Sequence, residues 1–414
     1  MKLSREIDYM LLLTAMLTAV VGIVAIYSVS FHSQLSSDIW QRQTAFAVVS
    51  IGIAVALAYV PNKLLYGFAY ALYAVSLVSL LAVLAWGSGD VAARWLRLGP
   101  GDILTLQPSE FAKIATIIAL ARYLGDSNAE EINGVRRFLG AMLLALVPMA
   151  LIARQPDLGT ALSFGAVIFP MLYWAGMRTL FIFFIISPML SVAFSFEPLW
   201  QAAAPFVFAA FIILSSAAIH LLLSRLWVTV SMVAVNLSAG LITVYLWTSF
   251  LRDYQKARIL TFLDPESDRL NTGWTIIQSK IAIGSGGVTG KGFLEGTQTK
   301  YEFLPAAHTD FIFSVIGEEF GFLGALGVLA LFFLLIGRAL QIGAMAQNRF
   351  YSLTAIGIAA LVTFHVFVNV GMTIGVMPVT GLPLPLLSYG GSSMMATFIA
   401  IGILLHIYTY RHEY

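Results

Sequence analysis

Twelve apolar runs, each near the length that crosses a lipid bilayer, dictate what this chain can fold into. Their approximate limits are 8–30, 44–60, 64–86, 107–124, 138–153, 157–175, 178–196, 204–223, 226–250, 310–337, 351–376 and 391–410. A spanning helix needs roughly 20 predominantly apolar residues. In hydrocarbon, only helices and closed barrels satisfy their own backbone polar groups. Barrel strands alternate in polarity and leave no such runs, so the expected fold is an all-α polytopic integral membrane protein with about twelve spans. Composition agrees: 59% of the 414 residues are apolar and 11% are charged, against roughly 25% charged in an ordinary globular domain. That excludes a soluble globular enzyme, a disordered chain and a coiled coil. A net charge of +2 implies no nucleic-acid partner, and the lack of cysteine excludes disulfides, thiolate metal sites and a Cys nucleophile.

Lys2 and Arg5 precede the first run as they would in a secretory signal. The apolar stretch Tyr9 to Val29 is too long for a signal core and lacks a clear small-residue cleavage site. It is therefore expected to be the first membrane helix. An even number of spans puts both termini on one side. With the termini inside, the inner segments carry eleven Lys or Arg, whereas the short outer segments carry four: Arg42, Arg94, Arg97 and Arg154. This bias predicts cytoplasmic termini. The segment 251–307 then lies outside; it has 57 residues and 13 of the 44 Asp, Glu, Lys and Arg. Long loops of this kind are usually functional. Two further outer segments, 87–106 and 377–393, place the expected chemistry at the outer membrane face.

Ionisable groups at membrane depth are costly and mark functional positions. Four clusters qualify. In Gln107-Pro-Ser109-Glu110-Phe-Ala-Lys113, Glu110 and Lys113 are three apart and share a helix face; they form either a self-neutralising structural pair or a site for a polar anionic headgroup. In Arg154-Gln155-Pro-Asp157-Leu-Gly-Thr160, Asp157 opens a helix and reads equally as an N-cap. Asp310, Ser314 and Glu318, following His308, stand at i, i+4 and i+8 and form one polar stripe. A cap accounts for Asp310 but not for the carboxylates further along. His365, Asn369 and Thr373 repeat that spacing ahead of Ser388, Ser392 and Ser393; interhelical hydrogen bonding is the simpler reading there.

Two tempting motifs fail. Gly284-Ser-Gly-Gly-Val-Thr-Gly-Lys291-Gly292 has Ser285 and Gly292 where a P-loop needs Gly and Ser or Thr. Its glycine-rich backbone, with Lys280 and Lys291, remains suited to a diphosphate. Asp264-Pro-Glu266-Ser-Asp268 begins like a calcium loop but continues with Arg269 and Thr275 where Gly and Glu are needed.

The strings Gln107-Pro-Ser-Glu-Phe-Ala-Lys113, Gln155-Pro-Asp-Leu-Gly-Thr160, Leu263-Asp-Pro-Glu-Ser-Asp268, Ile277-Gln-Ser-Lys-Ile-Ala-Ile-Gly-Ser-Gly-Gly287, Glu302-Phe-Leu-Pro305, His308-Thr-Asp-Phe-Ile-Phe313 and Leu384-Pro-Leu-Leu-Ser-Tyr-Gly-Gly391 together resemble the SEDS family of cell-wall polymerases, and its elongation branch more than its division branch. The resemblance covers roughly 1–180 and 250–414. It implies a peptidoglycan glycosyltransferase of the bacterial cytoplasmic membrane acting on lipid II, a disaccharide-pentapeptide on undecaprenyl diphosphate. It also implies a class B penicillin-binding protein as partner, and a divalent cation, Mg or Mn, whose ligands it does not identify. The family's essential Asp maps onto Asp310. Glycosyl transfer needs a base for the acceptor hydroxyl and positive charge or dipoles for the departing diphosphate. Asp310 suits the first role; Arg94, Lys113, Lys280 and Lys291 suit the second. Gln107, Ser109, Glu110, Gln155, Asp157, Glu302, His308, Asn369, Ser388 and Ser392 complete the expected substrate site. Family members usually have ten membrane helices, so 204–250 is expected to be an extra pair within one membrane domain. A lipid-linked precursor flippase and a non-catalytic scaffold are the competing functions.

Overall fold

A computed structural model describes residues 7–32, 38–87, 94–98, 104–223, 226–251, 256, 260–264 and 272–411. Every one of the twelve apolar runs coincides with a helix. They are α1 (Tyr9–His32), α2 (Ile39–Ala58), α4 (Ala69–Trp86), α5 (Pro108–Gly125), α7 (Val135–Arg154), α8 (Leu158–Trp174), α9 (Thr179–Ser195), α11 (Ala204–Leu223), α12 (Leu226–Tyr245), α15 (Ile312–Met345), α16 (Arg349–Thr373) and α17 (Gly391–Thr409). Short helices intervene: α3 (Asn62–Gly67), α6 (Ala129–Ile132), α10 (Glu197–Trp200), α13 (Thr272–Gly286) and α14 (Thr297–Lys300). Among the described residues nine helices are long and apolar enough to cross a membrane. The chain is an all-α polytopic membrane protein. The three runs outside those nine are α5, which carries Glu110, Lys113 and Arg122, and the shorter α8 and α9.

The residues form two compact units, 1–176 with 275–414, and 177–274. In the first, α5, α16 and α17 are the most enclosed helices, while most of the surface of α4, α7 and α15 faces outward. Small residues allow close approach: a methyl on Gly402 of α17 would lie 2.8 Å from the Ala54 backbone of α2. Such small-residue contacts are a principal source of helix association in lipid. In the second unit α9, α11 and α12 pack on one another. Ser187 and Asn236 exchange hydrogen bonds across α9 and α12 at 2.7 and 3.0 Å. The expected pair 204–250 is thus part of a three-helix unit.

Two features depart from the sequence reading. A two-stranded hairpin pairs Leu96–Leu98 with Leu104–Leu106 just before α5. The segment 251–307 contains α13 and α14. Of the motifs in that segment, Glu266, Ser267 and Asp268 lie outside the described residues, as do Lys2 and Arg5 ahead of the first run.

Candidate active site

Asp310 stands in a tight turn. Ala306 has φ +52, and its carbonyl accepts from the N–H groups of Thr309, Asp310 and Phe311 at 3.1, 3.1 and 3.4 Å. The sequence reading starts a helix at Asp310, with the macrodipole favouring its charge. In the structure α15 starts at Ile312, and its N-cap is Phe311. The Phe311 side chain has no oxygen to cap with, so the turn itself, rather than a side-chain cap, sets the start.

That turn is sewn to the segment between α16 and α17. Ser388 donates its hydroxyl to the Thr309 carbonyl at 2.6 Å and accepts from the Leu384 N–H at 2.8 Å. The Tyr389 N–H donates to the His308 carbonyl at 2.8 Å. Asn369 Nδ2 donates to the carbonyls of Asp310 and Leu382 at 3.0 and 2.8 Å. Gln43 of α2 braces the far end, donating to the Ser388 carbonyl at 3.0 Å and accepting from the Gly390 N–H at 3.1 Å. Gly381, at φ +72, passes beside the carboxylate: a Cβ there would lie 3.7 Å from Asp310 Oδ2. Asp310 is half-buried. The His308 ring meets the Tyr389 ring edge-on at 5.9 Å. Burial lowers the His308 pKa below its ordinary 6.5.

Beneath the 377–390 segment lies a buried polar group. Lys113 Nζ is 2.8 Å from Glu110 Oε1 and 3.2 Å from His365 Nε2. Lys113 is 2% exposed and Glu110 4%. A buried ion pair stripped of one partner is strongly destabilising, so this trio ties α5 to α16. A cavity of about 20 Å³ bordered by Glu110, Lys113, His365 and Pro385 has room for roughly one water. Ser109 is buried in the first turn of α5, and the Gln107 N–H donates to Ser392 Oγ at 3.0 Å.

Asp157 caps α8, accepting from the Thr160 N–H at 3.2 Å, and its other oxygen is 3.7 Å from Arg94. Arg94 also donates to the Pro156 carbonyl at 2.7 Å, and Gln155 donates to the Leu80 carbonyl at 3.0 Å. A Cβ on Gly159 would lie 2.8 Å from the Thr380 carbonyl. The start of α8 therefore abuts the segment that passes over Asp310.

The polar stripe of α15 faces α13 and its loop. Ser279 lies 2.7 Å from Ser314 and donates to the Thr373 carbonyl at 2.6 Å. Lys280, next to it, is exposed and lies over Gly375. Lys291 reaches Glu318 at 2.7 Å and Thr297 Oγ1 at 2.8 Å. The glycine-rich loop is a clasp. The N–H groups of Lys291 and Gly292 donate to the carbonyls of Glu318 and Glu319, each at 3.0 Å. Phe322 and Leu323 donate back to Gly287 and Val288 at 2.9 and 3.1 Å. The helix opens for this at Gly321, whose φ is +65. The expected diphosphate cradle thus spends two of its amides and its Lys291 ammonium on α15. Glu302 is exposed, at φ +55, in the turn after α14.

The structure therefore brings Asp310, His308, Asn369 and Ser388 into one hydrogen-bonded neighbourhood, while Ser392 pairs with Gln107. Glu110, Lys113, Gln107 and Ser109 lie at its base, Arg94, Asp157 and Gln155 on one flank and Lys280 on another. Lys291 belongs to the clasp. Ser279, Gly381 and Gln43 were missed. None of the three had a local signal: Gln43 sits among the polar residues Gln41, Arg42 and Thr44 ahead of the second long run, and each of the three matters only through a partner distant in sequence. Among the described residues no group of three or more His, Asp or Glu is placed to hold a metal ion.

A family model described as "Cell cycle protein", FTSW/RODA/SPOVE, matches residues 8–204 and 203–413. Peptidoglycan glycosyltransferase RodA of Treponema pallidum (strain Nichols) is 37% identical over 97% of this chain and 97% of its own length. Peptidoglycan glycosyltransferase MrdB of Escherichia coli (strain K12) is 37% identical over 98% of this chain and 94% of its own. Among solved structures, a chain from a peptidoglycan synthase complex that coordinates polymerization and crosslinking superposes with TM-score 0.72 at 29% identity, covering 99% of both chains. Rod shape determining protein RodA of Thermus thermophilus gives TM-score 0.62 at 26% identity, covering 98% of both.

Proposed function

The chain belongs to the FTSW/RODA/SPOVE family of cell cycle proteins, and we propose that Asp310 is the general base with which this peptidoglycan glycosyltransferase polymerises lipid II during cell elongation. The observation that carries the reading is the placement of Asp310. Its carboxylate lies beside the side-chain-free backbone of Gly381, in a turn held by Ser388 and Asn369. A base on a rigid turn, next to backbone without a side chain, leaves room for a sugar hydroxyl. Asp310 accepts the proton of the acceptor hydroxyl as that oxygen bonds to the donor sugar's anomeric carbon. The bond from that carbon to undecaprenyl diphosphate breaks, and the diphosphate departs with the electron pair.

Lys280 and Arg94 are the cations on the flanks with exposed or partly exposed side chains, suited to the departing diphosphate. Lys113 is enclosed, and its role is to hold α5 against α16, the helix that carries Asn369. A divalent cation is implied by family resemblance. Among the described residues no group of three or more His, Asp or Glu is placed to cage it.

The finer placement follows the same reading: the bacterial cytoplasmic membrane, both termini cytoplasmic, and the active site outside. A class B penicillin-binding protein supplies crosslinking, in keeping with the synthase complex whose chain this one resembles. The test is polymerisation of purified lipid II in detergent, where no membrane sides exist. Glycan strands from wild type and none from Asp310→Asn support the reading. Absence of polymer from a folded wild-type protein, with and without its partner, favours transport or scaffolding instead.

A further inference from the structure

Within the unit 177–274, the end of α9, the short α10, the start of α11 and the last turns of α12 line an open cleft of about 390 Å³ that takes no part in the site above. Its volume falls within the roughly 300–1,000 Å³ of ligand pockets. The wall is apolar, with Phe208 on α11 and Leu241 and Val244 on α12. At one end, where α9 finishes, stand Ser195, Glu197 and Gln201. Among the described lining residues, Glu197 is the only charged side chain, and it is exposed.

The polar end bears the marks of a membrane–water interface. Trp200 follows Glu197 and donates its indole N–H to the Ala193 carbonyl at 2.9 Å. Phe196 meets the Trp247 ring edge-on at 4.9 Å, and the Lys256 ammonium lies 5.9 Å from that ring. Tryptophans with a nearby Lys are what headgroup level enriches. The cleft thus has an apolar wall where α11 begins and α12 ends, with a carboxylate at its tryptophan-bearing end. It lacks, among its described lining residues, the Lys or Arg that an anionic headgroup would need.

We propose that this cleft is a binding site for an amine-bearing phospholipid of the phosphatidylethanolamine type. Its ammonium pairs with Glu197, and an acyl chain lies along Phe208, Leu241 and Val244. The charge argues against phosphatidylglycerol, which offers no cation to Glu197. A transmembrane helix of a partner would match the apolar wall but gains nothing from the carboxylate.

The experiment uses the full chain in maltoside micelles with two probes: phosphatidylethanolamine and phosphatidylglycerol, each with a photoreactive acyl chain. Labelled peptides are mapped by mass spectrometry. The ethanolamine probe should label 202–208 and 240–244 about three- to fivefold more than the glycerol probe, the scale of one water-exposed ion pair. Glu197→Gln should abolish that ratio. Val244→Trp should remove labelling by both probes, whereas Val235→Trp, on the same helix outside the cleft, should leave it. Polymerisation by Val235→Trp reports that the variant is folded. Equal labelling by the two probes, or a ratio that survives Glu197→Gln, overturns the proposal. So does labelling without headgroup preference that disappears when the penicillin-binding partner is added, which assigns the cleft to a protein helix.

Discussion

The side-chain nitrogen of Asn369 lies 3.0 Å from the Asp310 carbonyl oxygen, and the same nitrogen reaches the Leu382 carbonyl at 2.8 Å. One amide on an enclosed helix thereby fixes the distance between the turn that presents the carboxylate and the segment that passes beside it. Asn369→Ala should cost about 1–3 kcal/mol, the penalty of buried carbonyls left without a donor. At saturating lipid II the rate should fall about tenfold or more, the equivalent of at least roughly 1.4 kcal/mol in barrier. Melting and initial polymerisation rates, measured together, check this. An unchanged rate in a destabilised protein shows that Asn369 serves folding alone.

Asp310→Asn keeps the size of the side chain and removes its capacity to accept a proton. General bases contribute typically 10²–10⁴-fold, and a loss in that range is expected with little change in melting temperature. Glycan output within about threefold of wild type from a well-folded variant removes Asp310 from the base role, given that range.

Lys291 makes the opposite prediction. Its ammonium is joined to Glu318, a fully buried carboxylate that also accepts from the Thr297 N–H at 2.8 Å. Lys291→Met should lower the melting temperature substantially, because a buried charge loses its counter-ion. Adding Glu318→Gln should restore part of the loss. Rate per folded molecule should stay close to wild type. A large rate defect in a stable Lys291→Met protein would return this lysine to the substrate site.

Gly321 is set against Gly290: a Cβ on Gly321 would stand 2.3 Å from the Gly290 nitrogen, at a φ of +65. Gly321→Ala meets both a clash with backbone and an unfavourable conformation. Loss of folded protein, read by size exclusion in detergent, is expected. Gly327→Ala, in the same helix with nothing within 4 Å of the added methyl, should be tolerated.

The half-buried His308 ring gives a pH effect of definite sign. Burial lowers its pKa in the folded state below the ordinary 6.5. Below about pH 6.5 the unfolded chain therefore binds more protons than the folded one, and stability falls as pH falls through that window. His308→Gln should flatten this acid limb of a melting-temperature profile while leaving neutral pH little changed. An identical acid limb in the variant assigns the loss to other groups.

The twelve helices were legible because hydrocarbon leaves a backbone no choice. A run of some twenty apolar residues must satisfy its own hydrogen bonds, so apolar composition and length alone locate the helices. Local spacing likewise brought Glu110 onto Lys113 and Asp157 onto the Thr160 N–H, since partners three residues apart meet on any helix or cap. Asp310, Asn369, Ser388 and Ser392 were recognisable as polar groups that an apolar chain does not carry without reason.

Tertiary structure alone decided what those groups touch. Lys113 found His365, 252 residues away, and Ser388 found Thr309, 79 residues away. The glycine loop between α13 and α14 reads as an anion cradle because its amides look unspent. Only packing against α15 revealed that Glu318 and Glu319 take them. Hydrogen-bond capacity belongs to a residue type and is written in the chain. Which partner consumes it depends on which helices meet, and no local pattern encodes that choice.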